Sequence, residues 1–298
     1  MDSSLTDPFP NLRLTVSSMF IATLVAHSEK RNLTADVLDQ LAAAFPGVSQ
    51  VQVLEPGVAA DIYFEGEAIQ LPELASEFDL FVQTAENRAK KLLVCDMEST
   101  IVANEFLDEI ADLGGVKEQV ADITERAMNG KLDFQDATHA RIQMICGLEE
   151  ASIRELLQTR LCYNPGAKEL LAACKKAGIY TMLVSGGFSI FADYVAQELG
   201  FDEVHASHLT FDDGVLSGIR LPMIDKEAKL QIMKTQADKM GITLSDCAAA
   251  GDGANDLPML HAAGLGIAYR AKAKVKEEIK SQINASDLMA IAYAIGAN

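Results

Sequence analysis

The sequence predicts an α/β protein built on a parallel sheet, carrying an all-helical insertion and preceded by a small α+β unit. Three observations lead there. Short unbroken apolar runs recur at Leu92–Cys95, Tyr180–Val184, Cys247–Ala250 and Gly264–Ala268, as in strands buried on both faces. Helical spacing fills much of the intervening sequence, at Ala167–Ala177, Ile190–Leu199 and Lys226–Met240, and strand–helix–strand repetition implies right-handed crossovers. Glu105–Thr159, by contrast, is helical in period nearly throughout and holds no convincing strand.

In chain order, residues 1–17 form a polar tail containing proline. Met19–Ala26 is a strand candidate, and Thr34–Phe45 sets Val37, Leu38, Leu41 and Ala44 at helical spacing before Pro46-Gly47 ends it. Val48–Leu54 reads as a second strand, carrying Val48, Val51 and Val53. Asp61–Phe64 and Asp79–Gln83 supply further short ones. Thr84–Lys91 has the charged composition of a linker. The expected units are therefore 1–86 and 87–298, with a helical cap at about 104–162 in the second. Phe211–Ile219 places Asp213-Gly214 between apolar residues, a hairpin signal.

Composition excludes several functions. The chain has 298 residues, 49% hydrophobic and 23% charged, with a net charge of −18. Such a field repels nucleic acid and anionic membranes, and an anionic substrate needs a local cation to offset it. No segment reaches the ~20 apolar residues of a membrane span. Asp2 and Asp7 with no basic stretch do not read as a signal peptide. The five cysteines form no CxxC pair, which suits a reducing cytoplasm and argues against a zinc site. Five histidines show no ligand spacing beyond His205 and His208, which read as structural.

In open α/β sheets, ligands bind beyond the carboxyl ends of the strands. Asp96-Met97-Glu98-Ser99-Thr100 follows the first apolar run, Ser185-Gly186-Gly187 the second, and Gly251-Asp252-Gly253-Ala254-Asn255-Asp256 the third. Singly, these are turn and cap residues. Together they place two carboxylate clusters and a glycine loop on one edge. Acidic clusters without histidine or cysteine suit a hard cation such as Mg²⁺. A Ser-Gly-Gly loop lets backbone N–H groups approach an anion. The combination indicates phosphoryl transfer, in which an aspartate can serve as nucleophile.

Asp96-x-Glu98-x-Thr100, Ser185, Lys229 and Gly251-Asp252-Gly253-Ala254-Asn255-Asp256 resemble the four motifs of the haloacid dehalogenase superfamily, whose core is a Rossmann-like parallel sheet. The segments Asn104–Glu109, Met128–Phe134 and Val184–Phe188 are similar to its phosphoserine phosphatase family, with the resemblance running from about Leu92 onward. It implies that Asp96 is the nucleophile and Glu98 the general acid and base. Mg²⁺ would be held by Asp96, the Glu98 carbonyl and Asp252, with Asn255 and Asp256 in support. Ser185 and Gly186 would bind phosphoryl oxygens. Lys229 would neutralise the aspartyl-phosphate, with Lys226 a nearby competitor. On the cap, Glu105 would meet the substrate ammonium and Arg141 its carboxylate, while Met128 and Phe134 would close the apolar side. The family normally has aspartate where Glu98 stands, and some related phosphotransferases carry glutamate there.

The resemblance implies an Mg²⁺-dependent cytoplasmic phosphatase acting on O-phospho-L-serine at the last step of serine biosynthesis. A phosphotransferase using the same donor and a serine-sensing protein with a weakened site are the alternatives. The amino-terminal unit resembles, in pattern, ACT-like domains that bind amino acids or pair into dimers, so a homodimer is an open expectation.

Overall fold

The computed structural model describes residues 19–27, 29–66, 77–128 and 134–297. The tail over 1–17 and the loop over 129–133, both singled out in the sequence, lie outside the described residues.

The main sheet is six-stranded and parallel, in the order β12-β11-β10-β5-β6-β7. Its strands are β5 (Leu92–Cys95), β6 (Tyr180–Phe188), β7 (Glu203–Ser207), β10 (Cys247–Gly251), β11 (Leu265–Tyr269) and β12 (Ser281–Ile283). The central pair, β5 and β10, is buried at every position, which is why those segments read as continuous apolar runs rather than alternating ones. Helices cover both faces. α6 (Ala167–Ala177) and α8 (Lys226–Met240) have the bounds expected from periodicity. α8 starts at Asp225, whose side chain accepts from the Ala228 N–H at 2.8 Å, and stops at Gly241 in the left-handed conformation.

The insertion is four helices, α2 (Phe106–Leu113), α3 (Lys117–Met128), α4 (Phe134–Ile145) and α5 (Glu150–Thr159). Where the chain leaves and re-enters the core, its two strands of backbone are tied together. The Asn104 side chain donates to the Arg160 carbonyl at 2.9 Å and accepts from the Cys162 N–H at 2.8 Å. A stacked pair, Phe106 on α2 and Phe191 on α7 (Ser189–Leu199), joins cap to core with ring centroids 3.9 Å apart. The hairpin of β8 (Leu209–Asp212) and β9 (Val215–Ile219) turns at Asp213 and Gly214, both with positive φ. It bonds the cap through Leu216 and Leu148.

Ahead of the main sheet stands a four-stranded antiparallel sheet in the order β2-β3-β1-β4, formed by β1 (Met19–Val25), β2 (Gln50–Glu55), β3 (Ala59–Glu65) and β4 (Asp79–Thr84), with α1 (Ala35–Ala42) packed on it. It is docked on the carboxyl-terminal helix α11 (Met289–Ile295). Gln83 donates to the Ala294 carbonyl at 2.6 Å, and the Tyr293 hydroxyl donates to Glu55. The buried Asp79 carboxylate accepts from the N–H groups of Asn284, Ala285 and Ser286 at 2.7–3.0 Å. The Thr84–Lys91 stretch, linker-like by composition, is part of this joint. Arg88 donates to Asp61 and to the Tyr293 carbonyl, and Lys90 is buried against the Asn87 and Ser245 carbonyls.

Candidate active site

Register brings the three strand ends together. Cys95 pairs with Ala250 on one side and Leu183 on the other, so Asp96, Asp252 and Ser185 emerge side by side at the carboxyl edge. Carboxylate oxygens of Asp96, Asp252 and Asp256 all lie within 4.8 Å of one another, and all three residues are buried. Lys229, from the first turn of α8, is fully buried between them. Its Nζ is 2.6 Å from Asp96 Oδ1 and 2.7 Å from Asp256 Oδ1. Lys226 instead is exposed and pairs with Glu227 at 3.5 Å. Of the two lysines weighed from the sequence, Lys229 is the one at the carboxylates.

Burial and the neighbouring Asp256 and Asp252 charges raise the Asp96 carboxyl to about 8, against the pull of Lys229. For Lys229, burial works to lower the pKa, but Asp256 and Asp96 outweigh it and hold the ammonium charged. Three buried carboxylates around one ammonium leave surplus negative charge in a poorly solvated place. An all-oxygen donor set with that surplus fits a hard divalent cation. Gly251 makes room for the cluster, since a Cβ there would lie 2.5 Å from the Asp256 carboxyl group.

Glu98 turns toward the cap. Its Oε1 accepts from the Phe106 N–H, at the start of α2, at 2.7 Å. Its Oε2 lies against Gly187, where a Cβ would come within 2.6 Å, so any side chain at 187 would displace it. Burial first, then the charges of Glu105 and Asp96, raise this carboxyl to about 8 in spite of the Phe106 bond. A carboxylic acid that stays protonated near neutrality is suited to giving a proton to a leaving oxygen. Ser185 is buried, and its Oγ accepts from the Gly187 N–H at 2.9 Å. Gly186, near the end of β6, and Asn255, in the loop after β10, are both part-exposed.

The cap contributes Glu105, which precedes α2, and Arg141 on α4. Arg141 donates to the Thr138 and Thr124 hydroxyls at 3.0 and 3.3 Å and to the Ala137 carbonyl at 3.3 Å. Among the described residues no carboxylate pairs with it directly. Burial lowers its pKa, while the charges of Asp108, Glu105 and Glu98 act in the other direction. A half-buried guanidinium aimed by neutral hydroxyls is available to an incoming anion. Met128 ends α3 and Phe134 opens α4; their side chains lie outside the described residues.

Sequence reasoning missed four residues here. Thr124 and Thr138 aim Arg141, Ser99 donates to Glu105 Oε1 at 2.7 Å, and Lys272 Nζ sits 3.3 Å from Asp252 Oδ2. Lys272 was within reach, because it follows the fourth apolar run as the other site residues follow the first three.

A model of the haloacid dehalogenase-like hydrolases matches residues 93–261. The chain belongs to this family. It is 43% identical over 203 residues to the phosphoserine phosphatase of Streptococcus thermophilus, covering 68% of this chain and 94% of that one. It is 42% identical over 204 residues to that of a Polaromonas species, covering 66% and 86%. A haloacid dehalogenase family hydrolase from Salmonella enterica serovar Typhi superposes with a TM-score of 0.82 at 29% identity, over 93% of this chain and 98% of that one. That match takes in the amino-terminal sheet as well as the hydrolase core. Within the family, the chain falls in the phosphoserine phosphatase group.

Proposed function

We propose that the chain hydrolyses O-phospho-L-serine to L-serine and phosphate, closing a route of serine biosynthesis. Residues 87–298, with the cap at about 104–162, are taken as the catalytic unit. The observation that carries the reading is the buried Asp96–Lys229–Asp256 contact beside Asp252, beneath a cap that brings Glu105 and an Arg141 guanidinium with no ion-pair partner among the described residues. That arrangement complements a phosphate ester bearing both an ammonium and a carboxylate.

In this reading an Asp96 oxygen attacks phosphorus and forms an aspartyl-phosphate, while the seryl oxygen leaves and takes the proton from Glu98. Glu98, now a carboxylate, accepts a proton from water, whose oxygen attacks the same phosphorus and frees Asp96. Lys229 offsets charge on Asp96 through both steps. The Ser185 hydroxyl and Gly186 N–H bond phosphoryl oxygens, with Asn255 at the loop beside them. Asp96, Asp252 and the Glu98 carbonyl, with Asp256 alongside, would hold Mg²⁺, which when bound neutralises charge on the phosphoryl group. Glu105 takes the ammonium and Arg141 the carboxylate. The apolar side would fall to Met128 and Phe134, as the family resemblance implies.

The test is phosphate release from L-phosphoserine in Mg²⁺ with and without EDTA, for the chain as it stands and for Glu98→Asp. EDTA-sensitive release by the Glu98 form is the expected result. No release by either form removes the reading. Glu98 itself favours a second one, transfer to an alcohol, because the longer side chain moves the acid by about a bond length, and ~1 Å can cost on the order of 10²-fold. Release only from Glu98→Asp, with transfer to added alcohols by the Glu98 form, would support that reading instead.

A further inference from the structure

Lys272 lies at the same sheet edge as the site, between β11 and α10 (Ala273–Glu278). Two residues earlier, Arg270 adopts φ +42, a left-handed conformation that non-glycine residues hold only at a cost. That turn sets the following backbone against the site. The Arg270 N–H donates to the Ile283 carbonyl at 2.9 Å, and the Lys272 N–H donates to the Asp252 carbonyl at 3.0 Å. The Lys272 backbone is thus tied to the residue its side chain also meets.

The ammonium spans core and cap. It lies 3.3 Å from Asp252 Oδ2 and 3.9 Å from Glu105 Oε1. Ser99, itself at φ +54, donates to the same Oε1 at 2.7 Å. Both core groups therefore hold one oxygen of Glu105, and among the described residues its Oε2 has no hydrogen-bond or ion-pair partner within range. The Lys272 and Glu105 side chains are 64% and 48% exposed, and so solvated an ion pair adds little to fold stability. Its effect is on direction: a carboxylate fixed through one oxygen presents the other at a set angle.

We propose that Lys272 is a positioning residue that clasps Glu105 to the core, turning Oε2 toward the amino group of the substrate and so setting selectivity for aminated phosphate esters. The proposal rests on the phosphoserine reading above. The contact geometry is independent of that reading, and the test separates the two.

In the full chain, Lys272→Ala should speed amide hydrogen exchange over residues 105–110 by about threefold or more, because the start of α2 loses one of its ties to the core while the Glu98 and Phe191 contacts of Phe106 stay. The thermal midpoint should move little. The ratio of kcat/KM for L-phosphoserine to that for p-nitrophenyl phosphate, which lacks an amine, should fall about tenfold, carried mainly by KM. Lys272→Arg should recover most of the ratio. Unchanged exchange would overturn the clasp. An unchanged ratio, or an equal fall for both esters, would overturn its role in selectivity. Absence of wild-type phosphate release from L-phosphoserine would remove the substrate reading, and exchange would still decide the clasp.

Discussion

Lys229 is fully buried and meets two carboxylates at 2.6 and 2.7 Å, whereas Lys272 is 64% exposed and meets its two at 3.3 and 3.9 Å. The first belongs to the floor of the site, at the ends of central strands, and the second to the rim where core and cap meet. On the floor every charge is confined, so geometry is fixed by what is costly to leave unpaired. At the rim water screens each pair, and precision comes from several weak ties on one group. Chemistry common to a family suits the first construction, and discrimination among substrates suits the second.

Removing the Asp96 carboxylate should break the floor outright. Asp96→Asn is expected to cut turnover by about 10³-fold or more while the circular dichroism spectrum stays native. Retained hydrolysis would remove Asp96 as nucleophile. Lys229→Met should strip the floor of its cation and leave Asp96 and Asp256 facing each other. A stability loss of about 3 kcal/mol or more is expected in urea melts, with hydrolysis lost as well. At the cap, Arg141→Ala should raise KM for L-phosphoserine about 10²-fold and affect p-nitrophenyl phosphate much less. Arg141→Lys should restore little, since a point charge cannot reproduce a planar fork. Equal losses on both esters would place Arg141 in the chemistry rather than in recognition. The smallest effect belongs to Thr124→Ala, which removes one 3.3 Å bond from Arg141. A rise of about two- to threefold in KM for L-phosphoserine is expected. No difference between this variant and wild type would show that Thr138 and the Ala137 carbonyl suffice to aim the guanidinium.

The same contrast explains what was legible in the sequence. Central strands buried on both faces must be apolar throughout, so β5 and β10 stand out, and the residues after them name the floor. β7 and β12, at the two edges of the sheet, are short and only part-buried, so their composition carries no such signal. Arg88 and Lys90 looked like solvated linker charges, yet their partners include the carbonyls of Tyr293 and Ser245. A backbone carbonyl has no sequence signature, and a fold must bring it close before the charge makes sense. The rim suffers the same loss. Ser99, Thr124 and Thr138 act by where they sit, and their residue types are common everywhere on a protein surface; of the rim residues, Lys272 alone has a signal, its place after the fourth apolar run.

The joint between the amino-terminal sheet and α11 bears on how the chain reaches this state. Gln83 meets Ala294 across 211 positions, and Asp79 meets Ser286 across 207. At a synthesis rate of about 5–20 residues per second, the first sheet waits roughly 10–40 s for its partner to be made. During that interval Val25, Ala59 and Phe81, which pack in the same core as α11, have no helix to cover them. Contacts this distant in sequence form slowly, after local structure is in place. The sheet of β1–β4, made well before its partner, is therefore locked late, and chains stopped before Met289 should show that sheet cut by protease far faster than in the full-length chain.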